Sequence, residues 1–232
     1  MFQVNTKFPI AIDSDDHKYP EGVFYDNRVN LTFIESVEHF FGKKINFMDQ
    51  GCAGGALVLE MNRRGHFAVG LEGSDQIYNP SEELLKEMGQ NPHGYDNWQK
   101  EYNKHLFTCD ITKEYEVLHN DEPCKFDLIS SWDVMEHFNP EDVEKVCSLI
   151  SKHLKDDGIF VASIAIFHAT RNESPLGPGH LKVPQVDYHK SVFPKEWWQQ
   201  KLDNYFSEIN YPFAATNRPL DNRYYLYAGK KK

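Results

Sequence analysis

No apolar run in the 232-residue chain approaches the roughly twenty residues that cross a bilayer, so a helical membrane span is not expected. The first residues, MFQVNTKFPIAIDSDDHKYP, lack a basic region followed by a long apolar core, and no signal peptide is expected. Cysteine is sparse: Cys52, Cys109, Cys124 and Cys147 stand apart with no C-x-x-C pair. That favours a reduced, cytoplasmic setting. Basic residues are outnumbered, 25 Lys and Arg against 35 Asp and Glu, for a formal net charge of −10. Such a balance repels polyanions and disfavours long nucleic acid as a partner, leaving a small or neutral acceptor as the better match. No internal repeat or low-complexity tract divides the chain, so residues 1–232 are expected to form a single domain.

What is present centres on residues 45–75, INFMDQGCAGGALVLEMNRRGHFAVGLEGSD. The apolar run from Ile45 to Met48 ends in Asp49, and a glycine cluster follows (Gly51, Gly54, Gly55). A helix-like segment runs from Ala56 to Arg64 and is closed by Gly65. A second apolar run, Phe67 to Leu71, ends in Glu72. This is a strand, a Gly-rich turn, a helix and a parallel strand, with an acid at each strand tip. In an open α/β sheet a ligand sits beyond the carboxyl ends of such strands, and the second acid is placed for the hydroxyls of a ribose. A nucleoside-bearing cofactor is expected. The dinucleotide spacing G-x-G-x-x-G is absent, which sets aside a nicotinamide dehydrogenase.

The spacing D-x-G-x-A-G-G resembles the D-x-G-x-G-x-G loop of class I S-adenosylmethionine (SAM) methyltransferases. Later segments extend the resemblance over about residues 30–230: Leu106 to Asp110 (LFTCD), and Phe126 to Trp132 (FDLISSW) followed by DVMEHF. It implies an α/β fold, a Rossmann-like, seven-stranded, mostly parallel sheet with helices on both faces and the last strand antiparallel. By position, it implies that Asp49, Gly51 and Gly55 shape the cofactor loop and that Glu72, with Gly73 and Ser74, meets the ribose. Asp110 would lie at the adenine, and Ile111 and Trp132 would belong to the same cofactor site. Ala53 departs from the family, which usually has glycine there, and its methyl narrows the approach to the backbone.

Residues 1–29 read as an irregular arm that folds over the cofactor pocket or lies on the surface. Apolar residues from Leu31 to Phe41 recur at helical spacing, with Asn30 as N-cap and Gly42 as stop. Ser74-Asp75 reads as the start of another helix, and Pro80 to Met88 as helical, ended by Gly89. Residues 90–105 are polar and aromatic with turn signals. Tyr95, Trp98 and Tyr102 there either line an acceptor site or cover a core edge. Residues 114–125 read as a connection. Asn139-Pro140-Glu141 opens a helix, and Gly158 turns into a strand, IFVASIAI. Residues 167–190 form a long loop rich in Pro, Gly and His, expected at the active site. Residues 193–205 read as helical and 223–228 as the final strand.

SAM carries an activated methyl group, so the protein must chiefly position an acceptor and manage its proton. An alcohol acceptor needs a base or a metal. On a helical turn Asp133, Glu136 and His137 would share one face. Two carboxylates and an imidazole make a half-site for Mg²⁺ or Mn²⁺. With His189 before FPKEWW, the set resembles the E-x-x-E-H motif and later histidine of metal-dependent enzymes that methylate a terminal RNA ribose. The first acid here is Asp133 instead of Glu, with a shorter reach. Metal-free base catalysis by His137, His168 or His189 stays open beside it, with His180 a weaker option. The pattern FAVGLEGSD, LFTCDIT, WDVMEHF further resembles methyltransferases of glycan-building genes in bacteria and large viruses, some of them parts of longer glycosyltransferase chains, chlorovirus ones included. That resemblance implies a sugar or glycan hydroxyl as acceptor, and host cytoplasm if the source is viral. A small phenolic metabolite, a terminal ribose and a non-catalytic SAM-binding partner subunit are the alternatives.

Overall fold

A computed structural model describes residues 1–167, 189–214 and 223–232. The chain starts with strand β1 (Phe2–Thr6) and two short helices, α1 (Asp15–Lys18) and α2 (Glu21–Tyr25). Helix α3 (Leu31–Phe41) follows: the Asn30 side chain accepts from the Phe33 amide, and Gly42, at φ 61°, stops it. Then come β2 (Asn46–Gln50), α4 (Ala56–Arg63), β3 (Phe67–Glu72), α5 (Glu82–Met88) and α6 (Tyr95–Glu101). The second half runs β4 (Leu106–Thr108), β5 (Tyr115–His119), β6 (Glu122–Pro123), β7 (Phe126–Trp132), α7 (Pro140–His153), β8 (Leu154–Ala165), α8 (Lys195–Leu202), β9 (Phe206–Glu208) and β10 (Tyr224–Lys231).

Seven strands make one sheet in the order β4-β3-β2-β7-β8-β10-β9. β4, β3, β2, β7 and β8 pair in parallel, and β10 runs antiparallel to both neighbours. Alternate residues of each central strand face opposite ways, so Phe47 and Met48, or Leu128 and Ile129, fall in different cores. One core joins the sheet to α3 and α4 through Phe33, Ile34, Val58 and Met61. The other joins it to α7 and α8 through Val143, Val146, Ile150 and Trp198. Helices therefore cover both faces, which is why these strands read as nearly continuous apolar runs. The sheet grows outward from β2 to β4 and then restarts at β7 on the other side of β2. The crevice at the β2 and β7 tips is thus the switch point where a ligand belongs.

Three segments differ from the sequence expectations. The arm 1–29 is partly regular: β1 pairs antiparallel with β5, and β6 completes a second, three-stranded sheet. Residues 114–125, read as a connection, supply β5 and β6. The partners lie more than a hundred residues apart, so neither strand shows a local hairpin signal. Residues 90–105 contain α6, hidden by its aromatic and polar composition. Ser74 caps only a 3-10 turn, Asp75–Ile77, and Ser81 caps α5. All four cysteines are buried and unpaired. Among the described residues no helix is long and apolar enough to cross a membrane.

Candidate cofactor and acceptor site

The turn between β2 and α4 reverses through left-handed backbone at Gly51 (φ 70°), Ala53 (φ 43°) and Gly55 (φ 77°). Ala53 thus takes a conformation that glycine adopts without strain, which gives a physical reason for glycine at that place. Internal bonds hold the turn. The Gly51 and Cys52 amides donate to the Leu71 carbonyl at 2.8 and 3.1 Å, and Ala53 N donates to Glu72 Oε2 at 2.9 Å. From the arm, the Asp26 carbonyl accepts from Gly54 N at 2.8 Å, and Asn27 Oδ1 accepts from Ala56 N at 3.1 Å. Trp98 Nε1 donates to the Ala53 carbonyl at 2.8 Å and Asn97 Nδ2 to that of Gly54 at 2.9 Å. Asn27 therefore occupies the start of α4, where a dinucleotide fold would present amides to a pyrophosphate.

Beside this turn lies a pocket of about 110 Å³, open to solvent. Of the expected cofactor residues, Asp49, Gly51 and Trp132 line it. Asp26, Asn27, Arg28 and Ser163 line it as well, and the sequence reading missed them. Arg28 Nε donates to Asp26 Oδ1 at 2.9 Å, which sets a guanidinium on the pocket wall. Asp49 is buried and accepts from Ser130 Oγ at 2.6 Å; burial, with Asp26 and Glu72 nearby, pushes its carboxyl up to about 7. Glu72 shapes the loop from behind: burial raises it to about 7 although the Ala53 and Ser74 amides donate to it. Gly55 packs on the Leu106 side chain, and Gly73 offers its carbonyl to Ala11 N at 2.8 Å. Ser74 is buried, with Oγ 3.3 Å from His17 Nδ1. Asp110 caps its own turn, accepting from the Thr112 amide and hydroxyl, and Ile111 is buried behind it. The aromatic trio resolves toward packing. Trp98 is fully buried, Tyr78 stacks on Tyr102 at 4.3 Å, and Tyr95 is half-buried.

The expected metal set divides. Ligand atoms of Glu136, His137 and His189 lie within 4.8 Å of one another, and Asp133 is not among them. The shared-face reading required a helical turn from 133 onward. Asp133 instead has φ 55°, and the 3-10 turn begins only at Met135. Its Oδ1 accepts from Ser163 Oγ at 2.5 Å, between β7 and β8. Asp133 is thereby corrected from ligand to brace. Glu136 is fully buried; its Oε1 accepts from Ala165 N at 3.1 Å, and Oε2 has no hydrogen-bond partner among the described residues. Burial pushes this carboxyl up to about 7 against the pull of His137. His137 Nδ1 meets Asp16 Oδ2 at 2.9 Å, and His189 Nδ1 donates to the Phe167 carbonyl at 2.8 Å. Burial pulls His137 down, yet the Asp16 carboxylate outweighs it and raises the imidazole to about 9. His168 and His180 lie outside the described residues.

These groups give stability a direction with pH. Asp49, Glu72 and Glu136 titrate near 7, above an unfolded value of about 4, so the folded chain holds protons that the unfolded chain has lost. Their contribution declines as pH rises toward 7. His137 adds stability that is full below about 6.5 and is lost as pH rises through about 9. His153, pulled down to about 4 by burial, is silent in that range. The melting temperature of the ligand-free protein is expected to fall steadily from pH 6.5 to 9, and Glu72→Gln to flatten the lower end. A midpoint that rises with pH, followed by calorimetry, would contradict this.

A glycine turn at the switch point, acids at the strand tips and an open pocket beside them define a nucleoside-cofactor domain of the α/β class. Residues 24–212 match the model of the methyltransferase domain family, and the chain belongs to that family, as a class I SAM-dependent methyltransferase domain. Among curated proteins it is similar to the ubiquinone biosynthesis O-methyltransferase of Neisseria meningitidis, 28% identical over 173 residues, 73% of this chain and 60% of that protein. It is also similar to the enzyme of the same name from Idiomarina loihiensis, 29% identical over 161 residues, 67% of this chain and 55% of that protein. The chain thus spans less than two thirds of the length of these relatives. Solved structures share the fold: a protein from Pyrococcus horikoshii has TM-score 0.58 at 16% identity, covering 98% of this chain and 96% of its own. The magnesium protoporphyrin IX methyltransferase of Synechocystis with bound SAM has TM-score 0.52 at 13% identity, covering 95% and 93%.

Proposed function

We propose that the protein transfers a methyl group from SAM to a hydroxyl of an acceptor carrying two vicinal oxygens. The observation that carries this reading is the Glu136, His137 and His189 cluster in the turns that follow β7 and β8, the strands beside the switch point. SAM, when bound, supplies a methyl on a positively charged sulfur. Asp49 and Asp26 on the pocket wall favour that charge, and the Arg28 guanidinium suits the carboxylate of the methionine moiety. The cluster fits a divalent cation: Glu136 Oε2 is buried without a partner among the described residues, and both imidazoles have Nδ1 tied to an oxygen. Glu136, His137 and His189 would hold the ion, which would lower the pKa of an acceptor hydroxyl. The proton of that hydroxyl must leave as the oxygen attacks the methyl carbon and the carbon–sulfur bond breaks. Without a metal, His137 is already protonated at neutral pH by its pairing with Asp16, so the base would be His189 or His168.

Two acceptor classes carry such a pair of oxygens. A sugar diol is supported by the resemblance to glycan-modifying enzymes and by the acidic charge. It loses the support of Trp98, which is packed in the core, and of Tyr102, which packs half-buried against it. A dihydroxyphenyl ring is the second reading, supported by the relatives, whose name places an O-methylation in ubiquinone biosynthesis. An aromatic surround of the cluster favours it too: Phe167 lies 5.5 Å from both His189 and Tyr224. The test is methyl transfer from labelled SAM to sugars, nucleosides and catechols, each with Mg²⁺, Mn²⁺ or EDTA. Turnover abolished by EDTA is expected, and the acceptor used selects the class. Turnover indifferent to EDTA would remove the metal and leave a histidine base.

A further inference from the structure

Helix α1 reaches both histidine-bearing segments of the cluster from a part of the chain remote in sequence. Asp16 bonds His137 Nδ1 across 121 residues, at 3.0 Å from Oδ1 and 2.9 Å from Oδ2. Its neighbour Asp15 pairs with Lys190 at 2.5 Å, next to His189. The helix is four residues long and has no buried residue, yet it is fixed in place. Ser14 caps it by accepting from His17 N, and Ala11 N anchors the preceding chain on the Gly73 carbonyl. His17 Nδ1 rests 3.3 Å from Ser74 Oγ and 3.7 Å from Asp75. One face of α1 is thus fastened to the tip of β3, beside Glu72, while Asp16 is presented to the cluster.

We propose that Asp16 is the positioning residue of the Glu136, His137 and His189 cluster. A carboxylate on one imidazole nitrogen fixes ring orientation and tautomer and makes the other nitrogen a better ligand. Glu136 and His189 are set by backbone groups, Ala165 N and the Phe167 carbonyl. The His137 Nδ1 bond is made to a side chain, and that side chain comes from the arm. The link also joins the two halves of the site, because the same helix that orients His137 braces Ser74 behind the cofactor loop. This inference rests on the metal reading given under the proposed function.

The test is Mn²⁺ binding to the full chain, followed by electron paramagnetic resonance and calorimetry, for wild type, Asp16→Asn, Asp16→Ala and Asp16→Glu. Outer-sphere partners of this kind change metal affinity by about 10- to 100-fold. Asp16→Ala is expected to weaken Mn²⁺ at least tenfold and Asp16→Asn nearly as much, with Asp16→Glu recovering part of the loss. SAM affinity and melting temperature serve as the readouts of a merely structural role and should move little in Asp16→Asn. Equal Mn²⁺ affinity in wild type and Asp16→Ala would overturn the positioning role and leave the metal reading standing. Absence of Mn²⁺ binding in wild type would overturn both.

Discussion

Glu136→Gln is expected to lower methyl transfer about a thousandfold or more while SAM binds within about twofold of wild type, a loss near 4 kcal/mol in the transition state. The substitution preserves shape. The Gln carbonyl oxygen can still accept from Ala165 N, now at 3.1 Å, so the tip of β8 keeps its bond. What changes is Oε2, the buried oxygen without a partner, which becomes an amide nitrogen whose hydrogens point where a cation or an acceptor proton would sit. Glu136 does not line the pocket beside the glycine turn, so the cofactor should be insensitive to the change. Glu136→Ala is the poorer probe, because it leaves Ala165 N unsatisfied in the core and adds roughly 1–3 kcal/mol of instability. Steady-state kinetics beside calorimetric SAM titration separates the two effects. Full turnover in Glu136→Gln would sink the role assigned to the cluster.

Gly94→Ala should do its damage to the fold and to the cofactor together. A Cβ on Gly94 would stand 2.1 Å from Gly54 Cα and 2.5 Å from its carbonyl oxygen. Both groups are backbone, so no rotamer change relieves the overlap, and α6 must lift off the turn. That motion breaks the bonds from Asn97 to Gly54 and from Trp98 to Ala53. Overpacking of this kind costs about 3 kcal/mol or more. For a domain of this size that is a fall of roughly 6–12 °C in melting temperature. SAM affinity should drop more than tenfold. Gly89→Ala is the control: φ is +67°, but none of the described residues lies within 4 Å of an added Cβ, so only backbone strain of about 1 kcal/mol is expected. Similar melting temperatures for the two variants would refute the close-approach argument.

The legible parts were those whose cause is local. Short apolar runs and turn chemistry gave β2, α4, β3 and β7 almost to the residue, and Asn30 and Gly42 marked both ends of α3. The strand-tip acids followed from the same pattern. Less legible were features that depend on long-range meetings. Nothing near Phe2–Thr6 announces β5 as its partner. Asp26, Asn27 and Arg28 look like an ordinary polar turn until the fold sets them against Gly54 and Ala56. Asp133 was misplaced because i, i+3 spacing says nothing about a residue that leaves the helical region just before the turn. Trp98 had two readings, and the carbonyl of Ala53 chose between them.

Because the pocket wall draws on residues from Asp26 to Ser163, it cannot close until most of the chain has left the ribosome. At synthesis rates of about 5–20 residues per second, roughly 7–27 s separate the emergence of those two ends. During that interval α2, the glycine turn and α6 can already meet, and β2 waits for β7 on its second edge. SAM is therefore expected to protect the finished domain more strongly than a chain cut short before Ser163.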